Sequence, residues 1–384
     1  MNAEKLSQPG QLISWLFQNR SKELMLITAW LLLQAFIFYN YGIVTVNEAR
    51  KYIEQADLLI QTGSVSSPNM WMYSVQIFLI AAAKQLTTGY ISVVLVQLFF
   101  NALATYSLYR LFEKLSNKTT AFAGILLFIF NYPFHTFNTF LYTESLFFSF
   151  TILLSCYILQ LEKLSVSSFV KIFLFLLLIC FTRPSGLLFV PCVSVYLFFR
   201  FFKSYPLLLK IPAAATASVL LLFILNTALG SGGELDFLLP FREEHIICGV
   251  PTITNSARET SNNNSVWGIL LYVFDHPGQF ARLAWLRTET FFGLYRPYYS
   301  TGHNIYLVVY FFSLYLMLLI SLREWIIKNK WLLLYCMTTI FITWGTAILT
   351  CDDWHNRFFL TVAPYIHILS LPVLQKITTF LQKK

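Results

Sequence analysis

Residues 24–43, LMLITAWLLLQAFIFYNYGI, run directly into residues 44–60, VTVNEARKYIEQADLLI, and this junction decides how the whole chain is read. The first stretch carries no charge. It has the length, about 20 residues, that an α-helix needs to cross a hydrocarbon core of ~30 Å. Four charged side chains and Asn47 then fall between positions 47 and 54. Glu48 therefore stands at a membrane boundary, where a carboxylate can reach water and is affordable.

The same alternation recurs along all 384 residues. Hydrophobic residues make up 57% of the chain, charged residues only 12%, and the mean hydropathy is +0.62. Soluble domains carry about 25% charged residues, so the expectation is an all-α polytopic membrane protein, one domain over 1–384. Apolar runs predict ten spans: 24–43, 91–112, 119–138, 141–161, 168–182, 185–202, 211–230, 303–322, 331–350 and 357–375. Thirty-eight Phe and 21 Tyr suit lipid-facing and interfacial positions, and no nucleic-acid partner is needed to explain them. The first 23 residues lack the pattern of a cleavable signal. The six cysteines show no CxxC spacing. Four lie in apolar runs, whereas Cys248 and Cys351 lie in polar segments and are compatible with a disulfide in an oxidising compartment.

Segment 71–86, WMYSVQIFLIAAAKQL, is short for a span and contains Lys84. If it lies on the membrane surface and both termini are cytoplasmic, 17 of the 27 Lys and Arg face the cytosol. That arrangement obeys the positive-inside rule, which also accounts for much of the net charge of +9; letting 71–86 span would invert every later segment. Two long external loops follow, 44–90 and 231–302. The second passes through TNSARETSNNNS, a loop signal. It then turns amphipathic in WGILLYVFDHPGQFARLAWLRTETFFGLYRP, which reads as a helix resting in the membrane plane, starting after Asp275-His276-Pro277 with Pro at a first-turn position.

The polar groups that are costly in such a chain gather on the external side. Glu48 and Asp57 lie in the first loop, Glu144 opens a span in LYTESLFFSF, and Arg183 sits between spans in CFTRPSGLLF. Asp352, Asp353, His355 and Arg357 crowd CDDWHNRFF. Taken singly, each is also what a solvated helix end looks like. Together they outline an outward cavity of carboxylates and arginines suited to an anionic lipid. His135 and His367 read as packed polar groups within spans, and His245, His276 and His303 as loop or interfacial residues.

These segments resemble, in order, those of the GT-C glycosyltransferases, multispanning enzymes that use polyprenyl-phosphate sugars. The similarity is to the branch of protein O-mannosyltransferases and lipid A aminoarabinose transferases, and nearly as much to the GPI second-mannose transferases. NEARKYIEQADLL opens the first external loop, and RLFEKLSNKTTAFAGILLFIFNYPF resembles the cytoplasmic turn and next span. YTESLFF, TRPSGLLFVP and NRFFLTVAPYIHIL resemble the later acidic, Arg-Pro and Arg-aromatic-Pro segments. The resemblance implies a helical bundle with a catalytic rim formed by the two external loops. It also implies transfer of a monosaccharide, mannose or another hexose, from a polyprenyl-phosphate donor to an acceptor hydroxyl.

The family's base is a carboxylate of the first external loop, commonly in an Asp-Glu pair before a Tyr. Here Asn47 stands at the Asp position in one register. Matching Tyr52 to the family Tyr puts Glu48 there instead. Glu48 is the candidate base in both registers, with Asp57 in reserve. Arg183 and Arg357, with Arg242 or Arg296, are the candidates to hold the donor phosphate. Glu144, Asp352, Asp353 and His355 are candidates for loop ordering or for contacting sugar and acceptor hydroxyls. No cofactor is expected; a divalent metal on Asp352-Asp353 is the alternative. The acceptor stays open among protein, lipid, glycolipid and polysaccharide, and a bacterial inner membrane fits the compact loops best. The rival readings are a transporter or flippase of lipid-linked sugars, which would favour internal repeats, a polysaccharide polymerase or ligase independent of Glu48, and a purely structural scaffold.

Overall fold

The structure is a computed structural model that describes residues 9–86, 89–201, 238–252 and 265–382. The expected span at 211–230 and the TNSARETSNNNS loop, but for Ser265, lie outside the described residues. What is described is helical, joined by short turns and two isolated β-bridges. The helices are α1 (Pro9–Tyr41), α2 (Glu48–Thr62), α3 (Ser74–Leu86), α4 (Ile91–Leu115), α5 (Lys118–Ile129), α6 (Tyr132–Thr136), α7 (Glu144–Gln160) and α8 (Val166–Thr182). They continue with α9 (Phe189–Phe201), α10 (Leu239–Arg242), α11 (Val266–Asp275), α12 (Pro277–Gly293), α13 (Thr301–Lys328), α14 (Lys330–Leu349) and α15 (Arg357–Gln382).

Six helical segments among the described residues are long and apolar enough to cross a membrane: Ser21–Tyr41, Ile91–Leu115, Pro184–Phe201, Thr301–Lys328, Lys330–Leu349 and Trp354–Gln382. The single span expected over 119–138 is instead two pieces, Lys118–Ile129 and Tyr132–Thr139, bent by 65°. The cause is local. Pro133 has no N–H to donate to the carbonyl of Ile129, and its ring would clash with that carbonyl in a continuous helix; α5 ends at Ile129, and Asn131 takes φ −72°, ψ 70° before α6 starts with proline in its first turn. The expected spans at 141–161 and 168–182 become α7 and α8, 17 residues each, shorter than the other six. Segment 71–86 forms a short 3-10 turn and the 13-residue α3.

Burial along α13 shows why such helices belong in lipid. Asn304, Leu307, Phe311, Leu314, Leu318, Ser321 and Trp325 are buried at alternating spacings of three and four, a seam packed on protein. The residues between them, Ile305, Val309, Phe312, Leu316 and Leu319, are equally apolar yet exposed. In water that face would be a liability; against acyl chains it is at home. The chain is an integral membrane protein.

It divides into two compact units. The first comprises Met1–Gly63, Gln76–Gln160 and Leu371–Lys384. Within it α4 packs on α7 and α5, and α1 on α5. Almost every residue of α7 is buried, as befits a central helix that is apolar all round. Gly124 of α5 is a contact point: a Cβ there would meet the Phe112 ring at 2.8 Å. The second unit comprises Ser64–Val75 and Leu161–Ser370. Within it α14 packs on α9, α12 and α13, with a buried face of Leu332, Cys336, Thr339, Thr343 and Ala347 whose small residues admit close approach. The Thr339 and Thr343 hydroxyls donate to carbonyls one turn back, both at 2.9 Å.

Candidate active site

The carboxylate part of the predicted site lies in the first unit. After α1, Gly42 takes φ 58° and ends the helix, its N–H donating to Phe38 O at 2.8 Å. Val44 then pairs with the 139–141 segment: its N–H donates to Thr139 O (3.0 Å), and its carbonyl accepts from Leu141 N–H (3.1 Å). That bridge carries the chain beside Tyr142, whose hydroxyl donates to Val46 O at 3.4 Å. Asn47, at φ 57° and ψ −125°, a positive-φ conformation outside the left-handed helical well and unusual for any residue but glycine, turns the chain into α2 with Glu48 as first residue.

Glu48 is half-buried. Tyr52, one turn on and fully buried, donates its hydroxyl to Glu48 Oε1 at 2.9 Å, an i,i+4 contact that fixes the carboxylate. The helix N-terminus favours negative charge there. Glu144 opens α7, fully buried, with the Thr143 hydroxyl at 3.5 Å from Oε2. Burial pushes the Tyr142 phenol up, the Glu144 charge adds to that, and a bond with Asn47 opposes it. Asn47, Glu48, Tyr52, Tyr142 and Glu144 thus occupy one corner. Asp57 does not: nine residues along α2, at 3.6 residues per turn, it faces the opposite way from Glu48, and Lys84 bonds it at 2.5 Å.

The arginine part lies in the second unit. Arg183 caps the C-terminus of α8, and the TRPSG sequence folds there into a 3-10 turn, Pro184–Leu188. Gly186 is required in it, because a Cβ would sit 2.5 Å from the Ile179 carbonyl oxygen and 2.7 Å from its carbon. Backbone cannot give way as a side chain can, so Gly186→Ala is expected to cost about 1–3 kcal/mol, read as a fall in thermal midpoint of the detergent-solubilised protein.

Arg183 donates to Asp353 Oδ2 at 2.7 Å, and Arg357 to Asp353 Oδ1 at 2.6 Å. Two guanidinium groups thus converge on one nearly buried carboxylate. Arg296 donates to Asp352 Oδ2 at 2.5 Å, both side chains fully buried, and its Nη1 also donates to Thr290 O and Tyr295 O, each at 3.1 Å. Burial pushes both Asp352 and Asp353 up, with Arg296 and Arg183 respectively pulling back. Arg242 closes the short α10, half-exposed. His355, at φ 56°, accepts from or donates to the Tyr299 hydroxyl through Nδ1 at 3.2 Å.

Cys248 and Cys351 form a disulfide, as their polar surroundings allow. Beside it Ile247 pairs with Asp352: Asp352 N–H donates to Ile246 O and Cys248 N–H to Asp352 O, both at 2.8 Å. The bond closes a loop of about a hundred residues, so replacing both cysteines by Ser is expected to cost about 2–4 kcal/mol; a reductant should lower the thermal midpoint of the wild type and leave that of the double variant unmoved. The carboxylates of Asp352 and Asp353 are already engaged by guanidinium groups, a donor set that does not fit a divalent cation. Among the described residues no cluster of three or more His, Cys, Asp or Glu is arranged to hold one.

Sequence reasoning missed Arg287. Fully buried in α12, it donates to the carbonyls of His245 (2.9 Å), Ile348 (2.7 Å) and Pro240 (3.0 Å), and burial lowers its pKa to about 10. Its signal was faint, the second of two Arg in ARLAWLRTETFF. Also missed were Tyr298, Tyr299 and Trp354, which in RPYYS and DDWHNR read as ordinary interfacial aromatics. No protein-family model, curated protein or solved structure matches the chain.

Proposed function

We propose that this membrane protein is a glycosyltransferase that moves a monosaccharide from a polyprenyl-phosphate donor to an acceptor hydroxyl on the external face. The observation that carries this reading is the convergence of Arg183 and Arg357 on Asp353, with each guanidinium side chain keeping 11% of its surface exposed. Guanidinium forks that grip a carboxylate suit a phosphate by the same planar geometry. Glu48, half-exposed and oriented by Tyr52, supplies the proton acceptor. The acceptor oxygen forms a bond to the anomeric carbon as the bond from that carbon to the phosphate oxygen breaks. The acceptor proton passes to Glu48, and the polyprenyl phosphate leaves with its electron pair, its growing charge met by the arginines. Single displacement inverts the anomeric centre. The disulfide supports placing residues 248 and 351 on an oxidising side such as a bacterial periplasm, and with them the ten-span arrangement with cytoplasmic termini.

The test uses purified protein and a panel of radiolabelled polyprenyl-phosphate sugars, following release of the lipid phosphate. Arg183→Ala and Arg357→Ala are expected to weaken donor binding at least tenfold each; unaltered binding in both would remove the arginines from the donor site. A flippase remains the second reading because of one observation, the 65° break between α5 and α6 with Asn131 and His135 buried beside it. Broken helices are what transporters use to line a path. Donor crossing a vesicle membrane without bond cleavage would favour it.

A further inference from the structure

We propose that Tyr298, Tyr299, Trp354 and His355 form a docking platform for a pyranose ring, the part of the substrate that the carboxylates and arginines leave unrecognised. The identification of that ring as substrate rests on the transferase reading; the platform itself rests on the following geometry. Trp354 and Tyr298 lie with ring centres 5.3 Å apart and planes tilted 36°. Tyr299 stands edge-on to Tyr298 at 5.0 Å, and His355 stacks on Tyr299 at 6.0 Å. Trp354 and Tyr298 are nevertheless 38% and 43% exposed.

Tyrosine and tryptophan at a membrane interface ordinarily turn their polar tips to water. Here the tips are used within the protein. The Trp354 indole N–H donates to Cys248 O at 2.8 Å, beside the disulfide, and the Tyr299 hydroxyl bonds His355 Nδ1 at 3.2 Å. The Tyr298 hydroxyl accepts the His355 N–H at 3.5 Å. What remains outward is ring surface, held rigid before any ligand arrives, and preorganisation of that kind lowers the cost of binding.

The backbone beneath is strained. His355 and Asn356 take φ 56° and 58°, and Leu294, whose carbonyl accepts from Asn356 Nδ2 at 3.2 Å, takes φ 61°. Left-handed non-glycine residues gathered in one place are a feature of binding and catalytic sites. Two polar atoms also await a bond: among the described residues, Asn356 Oδ1 and His303 Nε2 are buried without a partner, and the His303 ring lies 4.3 Å from Tyr299. A pyranose offers what this corner lacks, a C–H face to lie on aromatic rings and hydroxyls that both donate and accept. Asp353 and Arg357 flank the Trp354–Asn356 turn in sequence, which suits a sugar joined to a phosphate.

Saturation-transfer NMR on the full chain, in a detergent without a sugar headgroup, tests this with methyl pyranosides and with a polyprenyl phosphate carrying no sugar. Transfer to the pyranoside ring protons is expected in the wild type, at least fivefold weaker in Trp354→Ala and Tyr298→Ala, and largely kept in Trp354→Phe and in Trp267→Ala, which removes an exposed indole elsewhere. Thermal melts identify variants that fail to fold, and Trp354→Phe keeps the comparison decisive if the alanine variants do. Equal transfer in all variants, or none to any pyranoside, overturns the platform. Competition by a polyprenyl-phosphate sugar marks the ring as the donor's; simultaneous binding marks it as the acceptor's. Because no turnover is read, pyranoside binding without transferase activity overturns the enzyme and leaves the platform, whereas activity without binding overturns the platform alone.

Discussion

Glu48→Gln yields a protein that folds, binds donor lipid and transfers sugar about 10²- to 10⁴-fold more slowly, the usual contribution of a general base. The substitution is close to isosteric, and the glutamine carbonyl oxygen still accepts from the Tyr52 hydroxyl that holds Oε1 at 2.9 Å. Loss of the charge at the start of α2 is expected to cost about 0.3–1 kcal/mol. A large loss of turnover with an unmoved melt therefore isolates the proton transfer. If Glu48 were only a helix-end carboxylate, release of the lipid phosphate would continue at the wild-type rate, and that result would remove it as the base. Asp57 would then be tested, although it faces away from Glu48 and is held by Lys84.

Arg296→Met is expected to destabilise the protein by about 3–5 kcal/mol, because it strands the Asp352 carboxylate in a fully buried position. Asp352→Asn should cost a similar amount by stranding Arg296, even though its side-chain oxygen can still accept from the Asp353 N–H, now at 2.8 Å. The double variant should recover most of the loss, since a buried ion pair replaced as a whole is often neutral. Denaturant or thermal melts of the three proteins close the cycle. Additive losses would show that the two side chains do not depend on each other. Arg183 and Arg357 differ from Arg296 in keeping some contact with solvent, 11% of each side chain, which is why they and not Arg296 are assigned to the phosphate.

Some of this was legible in the chain. The α1–α2 junction followed from an uncharged run of twenty residues meeting Asn47 and Glu48, and α12 begins at Pro277 as its proline signals. The break between α5 and α6 was also written in the chain, as Asn131 and Pro133, but the long apolar run around them masked it. In the sequence Asp57 stood in reserve to Glu48, a second carboxylate of the same loop. Helical phase set them on opposite faces, and Lys84, 27 positions along, took one of them.

The sequence by itself determined that the chain lives in a membrane, where its apolar runs lie, and which acids and arginines stand at their ends. Those are local matters, set by hydropathy over a few turns and by proline, glycine and asparagine at single positions. Only the tertiary structure decided the pairings of Arg183 with Asp353, Arg296 with Asp352 and Cys248 with Cys351, and the outward ring faces of Tyr298 and Trp354; Arg357, one turn from Asp353, meets it locally. The physical reason is that these charges and rings gain their partners from packing between segments 56 to 170 positions apart, and no pattern along one segment records which distant group will fill its remaining bond.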